Sequence, residues 1–573
     1  MKRLFLGNEA VARGLYEAGC RVVSSYPGTP STEITEFAAK YDEIYCEWAP
    51  NEKVAMEVAS GAAISGARAF CGMKHVGLNV AADPLFTLSY TGISAGLVIG
   101  VADDPGMHSS QNEQDSRHYA RASKTMMLEP ADSEECLDYT KLAFELSERF
   151  DTPVILRLTT RISHSRSLVE TDSRQEREIK EFVKNPRKYV MVPGMARPKH
   201  KVVEDRILAQ TDWAESAPIN TVEYNGTKTG VITAGIAYQY AKEALGDKAS
   251  YLKLGCVYPL PVNLIKDFAS RFETVYVIEE LDDYIETHCR KHGIEVVGKD
   301  AFSFIGEYTP RQIAKAVLGE ESAFPDIDLP IPGRPPVLCP GCPHRALFYV
   351  LKKLKVFVSG DIGCYSLGVM QPLDSMDTLI CMGAGVSFLH GRNVADPANA
   401  KKSVGVIGDS TFAHSGITGL VDIAYNKSDS VVIILDNSIT GMTGHQDNPL
   451  TGRTIKGDPA LAIDLEMLVK SLGIERFTVV DPNDMEETEK VIRTELEAPG
   501  PSVVVARRPC ALLKYVKHNA PLHVDTEKCR SCRMCMRIGC PAISFIDGKA
   551  RINAAQCVGC GVCRQLCKFG AIG

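Results

Sequence analysis

The sequence predicts an α/β protein of several domains, closed by a small cysteine-rich one, and three observations predict it. Apolar runs of strand length alternate with helical stretches through most of the 573 residues. A polar stretch and a proline-rich stretch interrupt that alternation. Eight of the nineteen cysteines crowd into residues 521–573. With 45% hydrophobic and 24% charged residues, the chain has the composition of an ordinary globular protein. Its length suits roughly four domains.

Taken in order, residues 1–190 hold strand-like runs at 20–25, 69–73, 95–101 and 152–158, which read as a largely parallel sheet between helices. Residues 191–228 are rich in Lys, Arg, Glu and Pro and read as an irregular linker over the surface. A second, smaller α/β pattern fills 229–320, with strands at 229–233 and 274–279 around a helix at 237–244. The stretch 321–336 is a proline-stiffened spacer. A third α/β domain runs over 337–517, with strands at 404–407, 431–435 and 502–506, and 518–573 forms the last domain.

The cysteines of that last domain fall in two runs, Cys529-x2-Cys532-x2-Cys535-x4-Cys540-Pro541 and Cys557-x2-Cys560-x2-Cys563-x3-Cys567. This is the pattern of a two-cluster ferredoxin, in which three closely spaced thiolates hold one iron cube and the fourth crosses to the other. By that rule Cys529, Cys532, Cys535 and Cys567 hold one 4Fe-4S cluster, and Cys557, Cys560, Cys563 and Cys540 hold the second. Zinc is the alternative for paired Cys-x2-Cys motifs. Disulfides do not suit such short spacings in a chain without secretory features.

The net charge of -7 is no footprint for nucleic acid. No run approaches the roughly 18 apolar residues of a membrane span, and Asn8 and Glu9 precede any signal-peptide core. The expectation is a cytoplasmic protein without nucleic-acid or membrane partners. From residue 521 onward, eight Lys or Arg face Asp525, Glu527 and Asp547, a local excess of five positive charges. That excess either steers an acidic electron carrier or offsets the charge of clusters and thiolates.

In the third α/β domain one predicted strand ends in Gly408-Asp409-Ser410 and the next in Asp436-Asn437-Ser438-Ile439. Oxygen donors at the carboxyl ends of neighbouring parallel strands lie where open α/β sheets bind ligands, and they suit Mg2+ bridging a diphosphate. Gly408 lets the backbone approach the phosphates, and Ser410 opens a segment whose amides can donate to them. The pattern resembles the Gly-Asp-Gly...Asn signature of thiamine diphosphate enzymes, with Ser410 in place of the second glycine. That resemblance implies Asp409, Asn437 and the carbonyl of Ile439 as metal ligands. Asn51-Glu52 opens a helix of small residues and looks like the Asn-Glu-x3-Ala pattern around the activating glutamate of the same enzymes. Such an acid favours the imino form of the cofactor's pyrimidine.

With the electron relay added, the chain resembles, over essentially its whole length, the 2-oxoacid:ferredoxin oxidoreductases, and among them the large (alpha) subunits that act on indolepyruvate. The resemblance implies two thiamine-diphosphate-binding α/β domains, a transketolase C-terminal-like α/β domain and a two-cluster ferredoxin domain. It also implies oxidative decarboxylation of an aryl-2-oxoacid to its acyl-CoA, a small beta subunit in an α2β2 assembly, ferredoxin as electron acceptor and coenzyme A as co-substrate. Thr29, in Tyr26-Pro-Gly-Thr-Pro-Ser-Thr32, matches a threonine facing the 2-oxoacid, and Met442 stands where pyruvate-specific relatives carry an asparagine. A flexible apolar side chain there favours a large aromatic substrate. Cys339, Cys342, Cys364 and Cys510 match, in order and approximate spacing, a set that holds a third, proximal 4Fe-4S cluster in relatives; the other reading is a loop over the diphosphate. His75 and His108 either bind the substrate carboxylate or are structural, and His344 and Arg345 either contact diphosphate or shape their loop. Two rival functions remain open: a non-oxidative thiamine decarboxylase and a non-catalytic iron-sulfur electron-transfer subunit.

Overall fold

The computed structural model describes residues 2–320 and 329–573. Part of the expected spacer therefore lies outside the described residues, and 329–336 carries no helix or strand. The chain forms two compact units, Met1–Asp328 and Leu329–Gly573.

The first unit is built on a seven-stranded sheet. Its edge-to-edge order is Cys256–Tyr258, Met126–Leu128, Val154–Thr159, Leu97–Asp103, Ala69–Lys74, Val22–Ser25 and Tyr45–Trp48. All neighbours are parallel except the first pair. The three central strands are buried at every position. This is why they read as unbroken apolar runs, since helices cover both faces. A four-stranded sheet follows, in the order Thr274–Ile278, Thr229–Ala234, Ser250–Leu254 and Thr221–Glu223.

Residues 191–228 differ from the sequence expectation of an irregular linker. Pro193–Glu215 is a 23-residue helix, and Thr221–Glu223 pairs antiparallel with the strand Ser250–Leu254. The helix buries one narrow stripe, Val203, Arg206, Gln210 and Ala214. Two of those four are polar, so the apolar periodicity that announces a helix is missing. Arg206 is satisfied by donating to the Ser89 carbonyl at 2.6 Å. The second α/β pattern also does not stand apart from the first. Its strand Cys256–Tyr258 extends the seven-stranded sheet, and one apolar core runs from Met56, Ile99 and Ile155 into Ile232, Leu252 and Phe268.

The second unit carries a five-stranded parallel sheet, ordered Phe357–Ser359, Ser403–Gly408, Val431–Asp436, Ser502–Arg507 and Arg476–Val480. The cysteine-rich tail folds around the hairpin Ile543–Ile546 and Lys549–Ile552. It shares a core with the sheet domain, in which Leu347 and Phe348 join Ile538, Cys563 and Leu566. Arg345 fastens the two: its buried guanidinium donates to the carbonyls of Ile538 at 3.0 Å and Cys339 at 3.2 Å, and to those of Gly539 and Leu338.

Candidate active site

In the first unit, the carboxyl ends of four adjacent parallel strands gather Thr29, Glu52, Lys74, His75 and the loop after Asp103, the edge where such sheets bind ligands. Strand Tyr45–Trp48 leads to Asn51, whose side chain caps the next helix by accepting from the Val54 amide at 2.9 Å. Glu52 is the first residue of that helix and only 4% exposed. Its carboxylate lies against Gly77, where a Cβ would come within 2.6 Å of Glu52 Oε1.

The Thr29 loop and the 104–112 loop are tied together, since Ser109 Oγ donates to the Thr29 carbonyl at 3.2 Å. Lys74, buried at the end of its strand, donates from Nζ to the Ser109 carbonyl at 2.9 Å. His75 is buried, with Nε2 at 3.2 Å from the Asn112 carbonyl. A carbonyl only accepts, so Nε2 carries the hydrogen and Nδ1, which has no partner, is the acceptor. Burial, and then Lys74, hold the His75 pKa below its ordinary value, so the ring is neutral at pH 7. His108 is exposed, and its Nε2 lies 3.0 Å from Glu307 Oε2.

In the second unit, strand Ser403–Gly408 delivers Asp409 to the sheet edge, 2% exposed. Asp409 Oδ1 accepts from the Ser410 amide at 2.8 Å, while the buried Oδ2 has no hydrogen bond of good geometry, the Asn448 side chain and the Ile439 amide acting on this carboxylate only weakly. Burial pushes the Asp409 pKa up to about 7, with Asp436 adding to the shift. An unmatched carboxylate oxygen beside a second acid is a donor set that a divalent cation would satisfy. Asn437 Oδ1 accepts from the Ile439 amide at 3.3 Å, and Asn437 Nδ2 lies 3.5 Å from His344 Nε2. Burial pushes the His344 pKa down to about 4, so this histidine is neutral and offers no positive charge to a phosphate. Ser410 Oγ accepts from Thr440 Oγ1 at 2.9 Å. Gly408 faces the Tyr365 ring, 2.7 Å from where a Cβ would sit, so a side chain there would close the approach. Met442 is half exposed, on a loop closed by the Thr440 amide donating to the Gln446 carbonyl at 2.9 Å.

The ferredoxin thiols surround two cavities. Cys540, Cys557, Cys560 and Cys563 line one, which Pro340, Gly341 and Cys342 also border. Cys529, Cys532, Cys535 and Cys567 line the other. Backbone amides point at the sulfurs: Leu522 N lies 3.4 Å from Cys557 Sγ, and Ala571 N lies 3.3 Å from Cys567 Sγ. Donors of this kind stabilise thiolate. Cys339, Cys342, Cys364 and Cys510 are also neighbours. Cys339 bears electrostatically on each of the other three, and Cys510 Sγ sits 3.9 Å from His445 Nε2. Of the seven remaining cysteines, expected as packed thiols, six are buried and Cys381 is exposed.

Two residues here were not singled out from sequence. Asp361 is buried and accepts from the amides of Gly383 at 2.9 Å and Gly385 at 2.8 Å, which anchors the helix Ala384–Ala395. Its signal was a second strand-end Gly-Asp pair, Gly360-Asp361, like that at 408 and 409. Lys74 is the other, a lone cation ending the apolar run 69–73.

Two family models match the chain: pyruvate flavodoxin/ferredoxin oxidoreductase, thiamine diP-binding, over residues 13–221, and thiamine pyrophosphate enzyme, C-terminal TPP binding domain, over residues 361–506. Fold and site thus define a thiamine diphosphate-dependent 2-oxoacid:ferredoxin oxidoreductase. The chain is 41% identical to the indolepyruvate oxidoreductase subunit IorA of Pyrococcus horikoshii, covering 100% of this chain and 96% of that one. It is 40% identical to the IorA subunit of Archaeoglobus fulgidus, with coverages of 100% and 97%. The chain belongs to the indolepyruvate oxidoreductase IorA family. Among solved structures, a 2-oxoglutarate:ferredoxin oxidoreductase from Magnetococcus marinus aligns at a TM-score of 0.47 and 17% identity, over 56% of this chain and 65% of that one.

Proposed function

We propose that the chain catalyses the coenzyme A-dependent oxidative decarboxylation of indolepyruvate and related aryl-2-oxoacids, passing the electrons through 4Fe-4S clusters to ferredoxin. The observation that carries the reading is Asp409, a buried carboxylate at a strand end with one oxygen unmatched. Asp409, Asn437 and the Ile439 carbonyl would hold Mg2+ and through it the diphosphate of thiamine, with Gly408 and Ser410 admitting the phosphates. When bound, thiamine diphosphate supplies the electron sink that lets carbon dioxide leave. Glu52 would hold a proton against the pyrimidine ring nitrogen. His344, neutral, orients the Asn437 amide rather than binding phosphate. Thr29, His75, His108 and Met442 would border the substrate, Met442 offering apolar surface to an aromatic ring.

The two ferredoxin thiolate sets would each hold a 4Fe-4S cluster, and Cys339, Cys342, Cys364 and Cys510 a third. Cys342 borders the cavity of the Cys540 set, which favours a relay from the third cluster into the ferredoxin domain. The relatives are named as subunits, which supports a partner subunit here. We take it to be a small beta subunit in an α2β2 assembly, carrying part of the coenzyme A site. Thiolate-bound clusters suit the reducing cytoplasm.

The test is anaerobic reduction of ferredoxin or a viologen dye by the chain assembled with its partner, given indolepyruvate and coenzyme A. Reduction that needs both and is lost in Glu52→Ala supports the reading. Cluster-loaded enzyme that binds thiamine but reduces nothing sinks the aryl-2-oxoacid assignment.

A further inference from the structure

We infer that Lys74 binds the carboxylate of the 2-oxoacid and so decides that the substrate is an acid. The inference rests on the function just proposed and extends it to the residue that recognises the substrate's charge.

Lys74 stands at the carboxyl end of a central strand of the first unit. It lies between the Thr29 loop and the helix that sets Gly77 against the Glu52 carboxylate. Its stem passes over Gly28, where a Cβ would lie 3.2 Å from Lys74 Cγ and 3.3 Å from Cδ. The side chain is therefore directed along the loop that carries Thr29. The residue is 9% exposed, and its hydrogen bond among the described residues is the one to the Ser109 carbonyl at 2.9 Å. An ammonium has three hydrogens to donate, so two are left for a ligand.

The nearby acids do not answer this charge directly. Asp104 is occupied by the Ser109 amide at 2.8 Å, Ser110 Oγ at 2.7 Å and Thr160 Oγ1 at 2.6 Å. Asp104 and Glu52 act on Lys74 through their fields, and burial outweighs both, pushing the Lys74 pKa down to about 8. His75, next in the chain, is neutral. A buried cation without a paired anion costs free energy that an arriving carboxylate recovers.

Lys74 is also the cation at this edge best suited to the task. His75 carries no charge at pH 7 and its Nε2–H is committed to Asn112. His108 is exposed and faces Glu307. A lysine places a compact charge, and its remaining donors can meet one carboxylate oxygen each. The ketone carbon would then lie on the Thr29 side of the ammonium.

The experiment measures dye reduction by the assembled enzyme with native chain, Lys74→Met and Lys74→Arg, over a range of indolepyruvate concentration and pH. Methionine keeps the length of the stem and removes the charge. Expected is a rise in KM for indolepyruvate of about 10- to 100-fold in Lys74→Met, the worth of a hydrogen bond to a charged group. The change in kcat should be much smaller, with partial recovery of KM in Lys74→Arg. In the native enzyme, kcat/KM should fall as pH rises through about 8, and that limb should vanish in Lys74→Met. A KM unchanged in Lys74→Met overturns the inference. So does trapping of substrate on Lys74 by borohydride, which would show an imine between its amine and the ketone instead of an ion pair. If the native enzyme reduces no dye with any 2-oxoacid, the proposed function itself fails, and that is seen before any variant is made.

Discussion

Gly77 makes the space in which the Glu52 carboxylate sits: a Cβ at position 77 would lie 2.6 Å from Glu52 Oε1 and 2.7 Å from its Cγ. Two helix starts meet there, Glu52 opening one helix and His75 the other, two residues before the glycine. The acid cannot be placed without the missing side chain. Gly77→Ala should therefore displace Glu52 and lower kcat by about 100-fold, as misplacement of a catalytic group by about an ångström does. The cost in folding stability should stay near 1–3 kcal/mol, the range of overpacking. Steady-state dye reduction beside a thermal melt separates the two effects, and unchanged kcat would place Glu52 away from the chemistry.

Asp409→Asn removes the charge that burial makes costly. The variant chain without cofactor should melt no lower than the native chain, because an uncompensated buried carboxylate is gone. Thiamine diphosphate with Mg2+ at about 100 times the native Kd should protect the native protein by about 2.7 kcal/mol and the variant by far less. Equal protection in both would remove Asp409 from the metal site.

Lys74 also predicts how stability depends on pH. Its folded pKa of about 8 lies below its ordinary 10.5, so the folded state holds the proton less well than the unfolded chain. The lysine's contribution is favourable above 10.5, declines as pH falls and is lost below about 8. At pH 7 Lys74→Met should then stabilise the first cooperative unfolding transition by up to about 3 kcal/mol, the free-energy equivalent of that displacement. The advantage should shrink between pH 8 and pH 10. Denaturant titrations across that range check both the sign and the window.

Cys540 lies in the first cysteine run but lines the cavity of the second. On the proposed ligand sets, Cys540→Ser should disturb the cluster that Cys557, Cys560 and Cys563 would hold and spare the one that Cys529, Cys532, Cys535 and Cys567 would hold. Iron analysis with electron paramagnetic resonance of the reduced protein reads this directly. Loss of the opposite signal would reverse the ligand pairing.

Arg345→Met should loosen the ferredoxin domain from the sheet domain. It leaves four backbone carbonyls without their cation donor, and each hydrogen bond to a charged group is worth about 1.5–3 kcal/mol. Air-induced iron loss from the Cys540 set should quicken, while protection by thiamine diphosphate stays near the native value.

The sequence by itself determined which thiols come together, because they are close neighbours along the chain. A run of thiols at every third residue is legible locally, since one tight turn delivers all three. The strand-end pairs at Asp409 and Asn437 were legible for a related reason, since a central parallel strand is an unbroken apolar run and the first polar residue after it marks the sheet edge. The same run pattern located all three α/β sheets. Only the tertiary structure decided what depends on burial and on distant packing. The helix Pro193–Glu215 was hidden because its buried stripe includes two polar residues, Arg206 and Gln210, and the distant Ser89 carbonyl that receives Arg206 leaves no mark in the neighbouring sequence. Strand Cys256–Tyr258 joined the first sheet through a pairing that no local signal announces. The neutrality of His75 and His344, and the buried charge of Lys74, are set by desolvation: a side chain's protonation is fixed by what surrounds it in space, and the sequence names only what lies beside it along the chain.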